Sequence, residues 1–188
     1  MRAIPMLGVV LALTVGWGGA ALANKLDDAQ SAFADMRDVE ALALFGEVLA
    51  DRASSPETLA AARFGRGELY ALANQPDDAI ADFTAALALP QAPAERAITY
   101  VSRAESLVRR NRIEEAILDY SQSYALQPNQ AGVLTARGNL YSRLGKKEEA
   151  LADFDAELKR RPTYYRALTG RAVVLNLPLP PNPEAGRR

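Results

Sequence analysis

The sequence of 188 residues contains no cysteine and no histidine. Without cysteine it has no disulfide framework, no thiolate metal site and no cysteine nucleophile. The lack of histidine removes the commonest general base and the commonest transition-metal ligand, so most hydrolase mechanisms are excluded. No metal site and no cofactor are therefore expected. The chain is 49% hydrophobic and 24% charged, which is typical of a globular domain with a sizeable core.

Charge is also absent from Met6 to Ala23, a stretch of 18 residues. This stretch follows Arg2 and ends in Ala-Leu-Ala, a cleavage site of the A-x-A type before Asn24. These features predict a signal peptide over residues 1–23 that is removed on export to the periplasm or, alternatively, to the outside of the cell. The other interpretation is a retained membrane anchor, because the apolar stretch approaches the minimum span of a bilayer. For an exported protein of pI about 5.6, nucleic acid is not an expected partner.

The two signs of charge are unevenly distributed along the chain. Residues 24–95 carry five basic and 13 acidic side chains, whereas residues 96–188 carry 16 basic and ten acidic ones. The corresponding net charges are −8 and +6. One interpretation is that the basic half steers an acidic partner protein or peptide. The other is that both halves are simply solvated surface.

A pattern of small and aromatic residues recurs at intervals of about 34 residues. In one copy its members are Gly138, Tyr141, Ala150, Phe154 and Pro162. The corresponding residues 34 positions earlier are Ala104, Leu107, Ala116, Tyr120 and Pro128. A further 37 positions earlier they are Gly67, Tyr70, Ala79 and Phe83, followed by Pro90 one residue early and by a short insertion, Gln91–Arg96. Such self-similarity is typical of stacked helical hairpins.

Each copy is predicted to form two helices joined by a tight turn. Asn74, Asn111 and Gly145 occupy matching positions, where a left-handed backbone conformation would end the first helix. Small residues such as Gly67 and Gly138 are expected to let neighbouring backbones approach closely. The aromatic residues are expected to fill the space between helices.

These columns resemble the tetratricopeptide repeat (TPR), whose consensus is Trp-x2-Leu-Gly-x2-Tyr, then Ala-x3-Phe, then Pro. The resemblance covers residues 60–177. In two columns the sequence departs from the consensus. The tryptophan is replaced by Arg63, Tyr100, Leu134 and Leu168, and the leucine before the small residue is an arginine in every copy, which gives an Arg-Gly-x-x-Tyr variant. The resemblance implies an all-α fold, a right-handed superhelical stack of antiparallel helix pairs.

The same resemblance implies how the chain is organised. The segments expected after the signal peptide are an N-terminal helical cap or degenerate repeat at 24–58, three repeats at 59–96, 97–130 and 131–164, a capping helix at 165–177 and a proline-rich tail at 178–188. The tail is predicted to be extended and mobile, either as a frayed end or as a docking segment.

An aspartate lies 16 residues after the arginine in each of the three repeats. These residues predict a structural ladder of ion pairs between helices, formed by Arg66, Asp82, Arg103, Asp119, Arg137, Asp153 and Arg171. Each aspartate pairs either within its own repeat or with the arginine of the next repeat. The second arrangement is favoured, because Arg171 has no aspartate of its own. Partly exposed pairs of this kind contribute about 0.2–1 kcal/mol each.

In TPR proteins the first helix of each repeat lines a concave face, which commonly holds an extended peptide or a partner's helix. The residues expected on that face are Phe64, Glu68, Val101, Glu105, Arg109, Thr135, Asn139, Arg143, Arg166 and Thr169. Some family members hold a terminal carboxylate with lysine, asparagine and arginine side chains. The corresponding residues here are Phe64, Glu68, Ser102, Gly132 and Ala136, so capture of that kind is not expected.

The expected function is a noncatalytic adaptor or scaffold of the cell envelope that binds a protein or peptide. The alternative is a structural subunit of a secretion, pilus or cell-wall assembly complex. An enzyme is not expected. Adjacent carboxylates such as Asp77 and Asp78 diverge by about 100° around a helix axis, so they cannot face each other across a substrate.

Overall fold

The computed structural model describes residues 25–181, and every regular element among them is an α-helix. The predicted signal peptide and residues 182–188 of the proline-rich tail lie outside the described residues. Helix α1 occupies residues 25–34. The remaining helices are α2 (Asp38–Ala50), α3 (Pro56–Leu72), α4 (Pro76–Leu87), α5 (Pro93–Arg109), α6 (Ile113–Leu126), α7 (Val133–Arg143), α8 (Lys147–Arg160) and α9 (Tyr165–Val174).

The chain divides into two compact units, one up to Gln91 and one from Ala92 onwards. In the first unit α2 packs on α3, and α3 packs on α4. Alanines of α1 share one core cluster with side chains of α2 and α3, and the cluster comprises Ala29, Ala32, Ala41, Phe45, Val48, Ala62 and Leu69. The segment predicted as a cap or degenerate repeat is therefore a helical hairpin that packs as the repeats do.

In the second unit each helix from α5 to α9 packs on the next, and α7 also packs on α9. Contact between α7 and α9 places the first helices of consecutive repeats side by side. Ala150 and Phe154 of α8 form a buried cluster with Ala167 of α9, and Tyr141 of α7 packs against it. Antiparallel helix pairs thus stack in sequence order within the unit, and the predicted fold class is confirmed.

The turns between paired helices share one backbone conformation. At Asn111, φ is 58°, the Asn111 amide donates to the Val108 carbonyl at 2.9 Å, and the Arg112 amide donates to the Leu107 carbonyl at 2.9 Å. Asn74 and Gly145 are left-handed as predicted, with φ of 57° and 73°. The residues with positive φ at the other helix ends are Met36 and Asn176. Within the described residues, α1, α3, α5, α7 and α9 therefore all end in the same type of left-handed turn.

Two first helices begin earlier than the sequence predicts. Helix α3 begins at Pro56 and helix α5 at Pro93, each with proline in the first turn, where the missing N–H is not needed for helical bonding. Glu95 accepts a hydrogen bond from the Ala92 amide at 3.2 Å and so caps α5. Within the predicted insertion, Gln91–Arg96, the residues from Pro93 onwards therefore extend α5.

Aromatic rings pack directly against glycine backbones. An ideal Cβ on Gly138 would lie 2.9 Å from Phe154 Cε1, and one on Gly67 would lie 2.7 Å from Phe83 Cε1. Small residues are needed at these two positions, as predicted, but the close neighbour is an aromatic ring and not the backbone of the adjacent helix. Phe154 also touches Gly170 of the following helix, where a Cβ would lie 2.5 Å from its Cζ. Each such ring occupies the space that a methyl group would need.

Gly65 has the same relation to the ring of Phe45, with a Cβ-to-Cζ distance of 2.3 Å. Gly65 and Gly170 stand two positions before the small residue of the repeat pattern, in a column that the sequence comparison did not single out. The ring that fills this column belongs to the preceding hairpin. The ring contacts of Gly65 and Gly170 therefore join consecutive hairpins. Those of Gly67 and Gly138 join the two helices of one hairpin.

Candidate functional site

Arginine–aspartate pairs connect the two helices of each repeat. Arg103 donates to Asp119 from Nε to Oδ2 at 2.7 Å and from Nη2 to Oδ1 at 2.7 Å. The same two-point geometry recurs in the other repeats, between Arg66 and Asp82 and between Arg137 and Asp153. Antiparallel helices joined by a short turn bring residues 16 apart opposite each other, which explains the constant spacing.

The favoured arrangement, in which each aspartate pairs with the arginine of the next repeat, is wrong. Arg171 instead donates from Nε to Oδ1 of Asp155 at 2.6 Å, in an exposed pair. A contact between repeats is made by Arg137, whose Nη1 donates to Ser121 Oγ at 2.9 Å on the second helix of the preceding repeat. At Arg137 a hydroxyl, not a second carboxylate, thus accepts the hydrogen bond to the preceding repeat.

The carboxylates of these pairs are buried, so the pairs are not the partly exposed ones that the sequence suggested. The side chain of Asp119 is 6% exposed. Removing the arginine of such a pair would leave an uncompensated buried carboxylate, at a cost of about 3–5 kcal/mol. The hydrogen bond to Asp119 raises the pKa of the Arg103 guanidinium, so the arginine stays charged.

A polar depression of about 240 Å³ opens on the first helices of the second unit. Five of the residues predicted for the concave face line it, and these are Val101, Glu105, Thr135, Asn139 and Arg166. Helices α5 and α7 supply the first four, and α9 supplies Arg166. Consecutive first helices therefore contribute to one surface, as the resemblance implies.

A second depression, of about 430 Å³, adjoins the first between α7 and α9. It shares Asn139 and Arg166 with the first depression and adds Arg143 and Thr169. We call the two depressions together the unit-2 groove. Seven of the ten residues predicted for partner binding line this groove.

The other three predicted residues lie elsewhere. Phe64 and Glu68 belong to α3 in the first unit, where the ring of Phe64 packs on that of Phe83 with centroids 5.8 Å apart. Arg109 is exposed at the end of α5 and lines neither depression. Helical spacing places a residue on a helix face, but it does not determine how far along the helix the depression extends.

Two threonines of the unit-2 groove carry hydroxyls that are buried and unpaired. Thr135 is 3% exposed, and its Oγ1 has no hydrogen-bond partner in the described part of the chain. The Oγ1 atom of Thr169, at the corresponding position of the next first helix, is also buried and also has no hydrogen-bond partner in the described part of the chain. A buried hydroxyl without a partner costs about 1–3 kcal/mol, so a ligand that bonds to it recovers that cost.

Several groove residues outside the predicted set come from loops and second helices. They include Tyr120, Gln130 and Tyr164. Burial, followed by the negative charges of Glu105 and Asp119, raises the pKa of Tyr120, so its phenol stays neutral. These residues were not predicted from the sequence. The aromatic residues of second helices were expected to fill the space between helices, and only first helices were expected to line the concave face.

Across residues 25–181 no group of three or more His, Cys, Asp or Glu side chains is arranged to hold a metal ion. Within the same range no helix is both long and apolar enough to cross a membrane. What the described residues do offer is a groove over stacked first helices, the arrangement of a helical-repeat binding protein.

The tetratricopeptide repeat family model matches residues 73–131 and 135–177, which is more than half of the chain. The chain therefore belongs to the tetratricopeptide repeat family. A sequence relative is the outer dynein arm-docking complex subunit 4 of Xenopus laevis, which is 29% identical over 85 residues, or 45% of this chain. That match covers only 16% of the Xenopus protein.

Solved structures with the same fold include YrrB, described as a TPR protein with an unusual peptide-binding site. Its TM-score is 0.71 at 20% identity, over 81% of this chain and 75% of YrrB. The second TPR domain of human RPAP3, solved with the HSP70 peptide SGPTIEEVD, has a TM-score of 0.58 at 26% identity, over 64% of this chain and 98% of that domain. Both similarities agree with the stacked helix pairs described above.

Proposed function

We propose that this protein is a noncatalytic interaction module of the cell envelope, which binds an extended segment of a partner protein in the unit-2 groove. Membership of the tetratricopeptide repeat family supports a role in protein interaction. YrrB and the RPAP3 domain are peptide-binding proteins of this fold by their descriptions. The signal peptide predicted over residues 1–23 supports export, with the periplasm as the proposed location.

The pair of buried hydroxyls carries this proposal. Thr135 and Thr169 lie one repeat apart on neighbouring first helices. Packed helices are about 8–10 Å apart, and an extended chain advances about 3.3 Å per residue. Polar groups three residues apart in an extended ligand therefore match the spacing of the two hydroxyls, and because each oxygen is buried in the free protein, the threonine side chains would turn about χ1 to meet them. Because the same threonine hydroxyl is unpaired in two consecutive first helices, the groove is suited to an extended ligand that carries polar groups at the same spacing.

The charges of the groove favour a partner with acidic side chains. Arg143 and Arg166 line the groove, and residues 96–181 belong to the basic half of the chain. Glu105 lies at the other end of the groove, so a ligand with acidic groups near α9 and an uncharged end near α5 fits best. Binding should weaken as salt screens the arginines.

Photocrosslinking tests the position of the binding surface. A photoreactive amino acid at Asn139, which both depressions share, should capture a partner in the native compartment. The matched control is the same amino acid at Leu118, which is exposed on α6 and lines neither depression. Equal capture from both positions would contradict binding in the groove. A partner that stays bound in fixed ratio through purification would instead indicate a structural subunit of a complex.

Thr135→Val then tests the role of the hydroxyl. The substitution conserves shape, so loss of the bond should weaken binding of the captured partner by about tenfold. The same change should leave the melting temperature unchanged or raise it, because it removes an unpaired buried hydroxyl from the free protein. Unchanged affinity together with a raised melting temperature would mean that the hydroxyl contacts no ligand.

A further inference from the structure

The first unit carries an apolar groove between α2 and α3, separate from the unit-2 groove. This α2/α3 groove has a volume of about 200 Å³, and its lining includes Val39, Leu42, Leu69, Tyr70 and Leu72. Val39 is 86% exposed and Leu72 is 69% exposed. Clustered apolar side chains at such exposure mark an interaction surface.

The surroundings of the α2/α3 groove are acidic. Asp38 lines it, and residues 25–91 carry twelve acidic and five basic side chains. The nearby Arg37 is already paired, since it donates to Glu40 Oε2 at 2.7 Å and to Asp35 Oδ2 at 3.1 Å. The occupant that fits this groove therefore has apolar side chains and a positive charge.

The proline-rich tail has both properties. Leu177 and Leu179 are exposed, and residues 177–181 contain no helix or strand. Prolines of the tail stand three apart at 178 and 181 and again at 180 and 183, and Arg187 and Arg188 follow. Proline at this spacing favours the polyproline II conformation, which docks in aromatic-lined grooves at little entropic cost. Tyr70 supplies an aromatic side chain in the α2/α3 groove.

The tail also takes the place of a missing helix. After α9 the Leu177 amide donates to the Ala172 carbonyl at 2.9 Å and Asn176 is left-handed, the same turn that precedes α4, α6 and α8. In those repeats a second helix follows and buries its apolar side chains. Here Pro178 and the prolines after it follow, and Leu177 and Leu179 stay exposed.

We propose that residues 177–188 of one copy dock in the α2/α3 groove of a second copy. The leucines would cover Val39 and Leu72, and the arginines would meet the acidic surface of the first unit. Groove and tail are different surfaces, so each contact leaves one of each available to further copies. The protein would therefore associate head to tail, at a surface distinct from the one that binds its partner.

Sedimentation equilibrium tests this association on the chain that begins at Asn24, which contains every described helix. The expected result is a mean mass that rises with protein concentration beyond that of the monomer. Leu72→Gln should raise the dissociation constant by about tenfold or more, as should Leu177→Ser combined with Leu179→Ser. Leu118→Gln, at an equally exposed leucine on α6, should have no effect. All the substituted side chains are exposed, so circular dichroism should show folded variants.

A labelled peptide of residues 175–188 identifies the site directly. Fluorescence anisotropy should show it binding to the Leu177→Ser, Leu179→Ser variant, and Leu72→Gln in that background should weaken the binding by about tenfold or more. Raising the salt from about 0.1 to 1 M, which shortens the Debye length from about 10 to about 3 Å, should weaken the binding without abolishing it.

Three outcomes would overturn the proposal. A chain that is monomeric at all concentrations and a peptide that does not bind would exclude the docking. Peptide binding to the tail variant by a chain that stays monomeric would mean that each tail occupies its own groove. Association that Leu72→Gln leaves unchanged would place the contact elsewhere. None of these results affects photocrosslinking from Asn139, so the two proposals fail separately.

Discussion

Replacing Gly65 with alanine should destabilise the first unit, whereas the same replacement at Gly46 should stabilise it. Both glycines lie inside helices, Gly46 in α2 and Gly65 in α3. A Cβ on Gly65 would lie 2.3–2.9 Å from three atoms of the Phe45 ring, while a Cβ on Gly46 would meet nothing within 4 Å. The two substitutions therefore share their effect on the helix backbone and differ in packing.

The expected changes in the free energy of unfolding follow from the effect on the helix backbone and the effect on packing. Alanine is favoured over glycine in a helix interior by about 0.5–1 kcal/mol, and this is the whole expected effect at Gly46. Extra carbon in a packed core costs about 1–3 kcal/mol, and at Gly65 the upper part of that range applies because Phe45 is fully buried. The net loss at Gly65 should be about 1–2 kcal/mol, which lowers the melting temperature by about 2–8 °C.

Thermal unfolding followed by circular dichroism measures the overall change, and hydrogen exchange of α2 and α3 amides localises it to the first unit. The Phe45→Leu background provides an internal control. Without the ring, Gly65→Ala should no longer destabilise, which gives a coupling energy of about 1–3 kcal/mol. If Gly65→Ala stabilises the protein as much as Gly46→Ala does, the proposed ring-to-backbone contact is refuted.

The remaining predictions concern the ion pairs and the turns. Asp119→Ala should cost about 1.5–3 kcal/mol in urea unfolding because it removes the buried carboxylate that accepts two hydrogen bonds from the Arg103 guanidinium. Asp155→Ala, whose side chain is 55% exposed, should cost about 0–1 kcal/mol, and similar losses at both sites would contradict the burial argument. Asn74→Val should lose about 1–2 kcal/mol, because a β-branched residue resists the left-handed conformation, whereas Asn74→Gly should be close to neutral. Equal stability of the two Asn74 variants would show that the turn does not require this conformation.

Much of the fold was predictable because the pattern involves residues close together in the chain and recurs in three repeats. The left-handed turns at Asn74, Asn111 and Gly145 and the need for a small residue at Gly138 were each predicted from matching columns, although the ring that contacts Gly138 was not. The start of α5 was not. The extra residues after Pro90 were interpreted as a short insertion, but Pro93 and Glu95 are good residues for a helix N-terminus, and the helix extends to include them.

The groove was predicted in part. Seven residues of the first helices line it, since helical spacing determines which face of a helix a side chain occupies. Tyr164 was missed because it lies in the segment before α9, and only the fold brings that segment to the groove. The unpaired state of the Thr135 hydroxyl was equally inaccessible to the sequence, because it depends on every neighbouring donor and acceptor.

The sequence by itself determined the helices, their turns and the order in which hairpins follow one another, because these depend on residues close together in the chain and on a period that repeats. The tertiary structure alone decided which carboxylate each arginine contacts, that Phe154 packs on Gly170 as well as on Gly138, and which hydroxyls stay unpaired. Those outcomes depend on distances between helices. Several pairings satisfy the same spacing along the chain, and only packing selects among them.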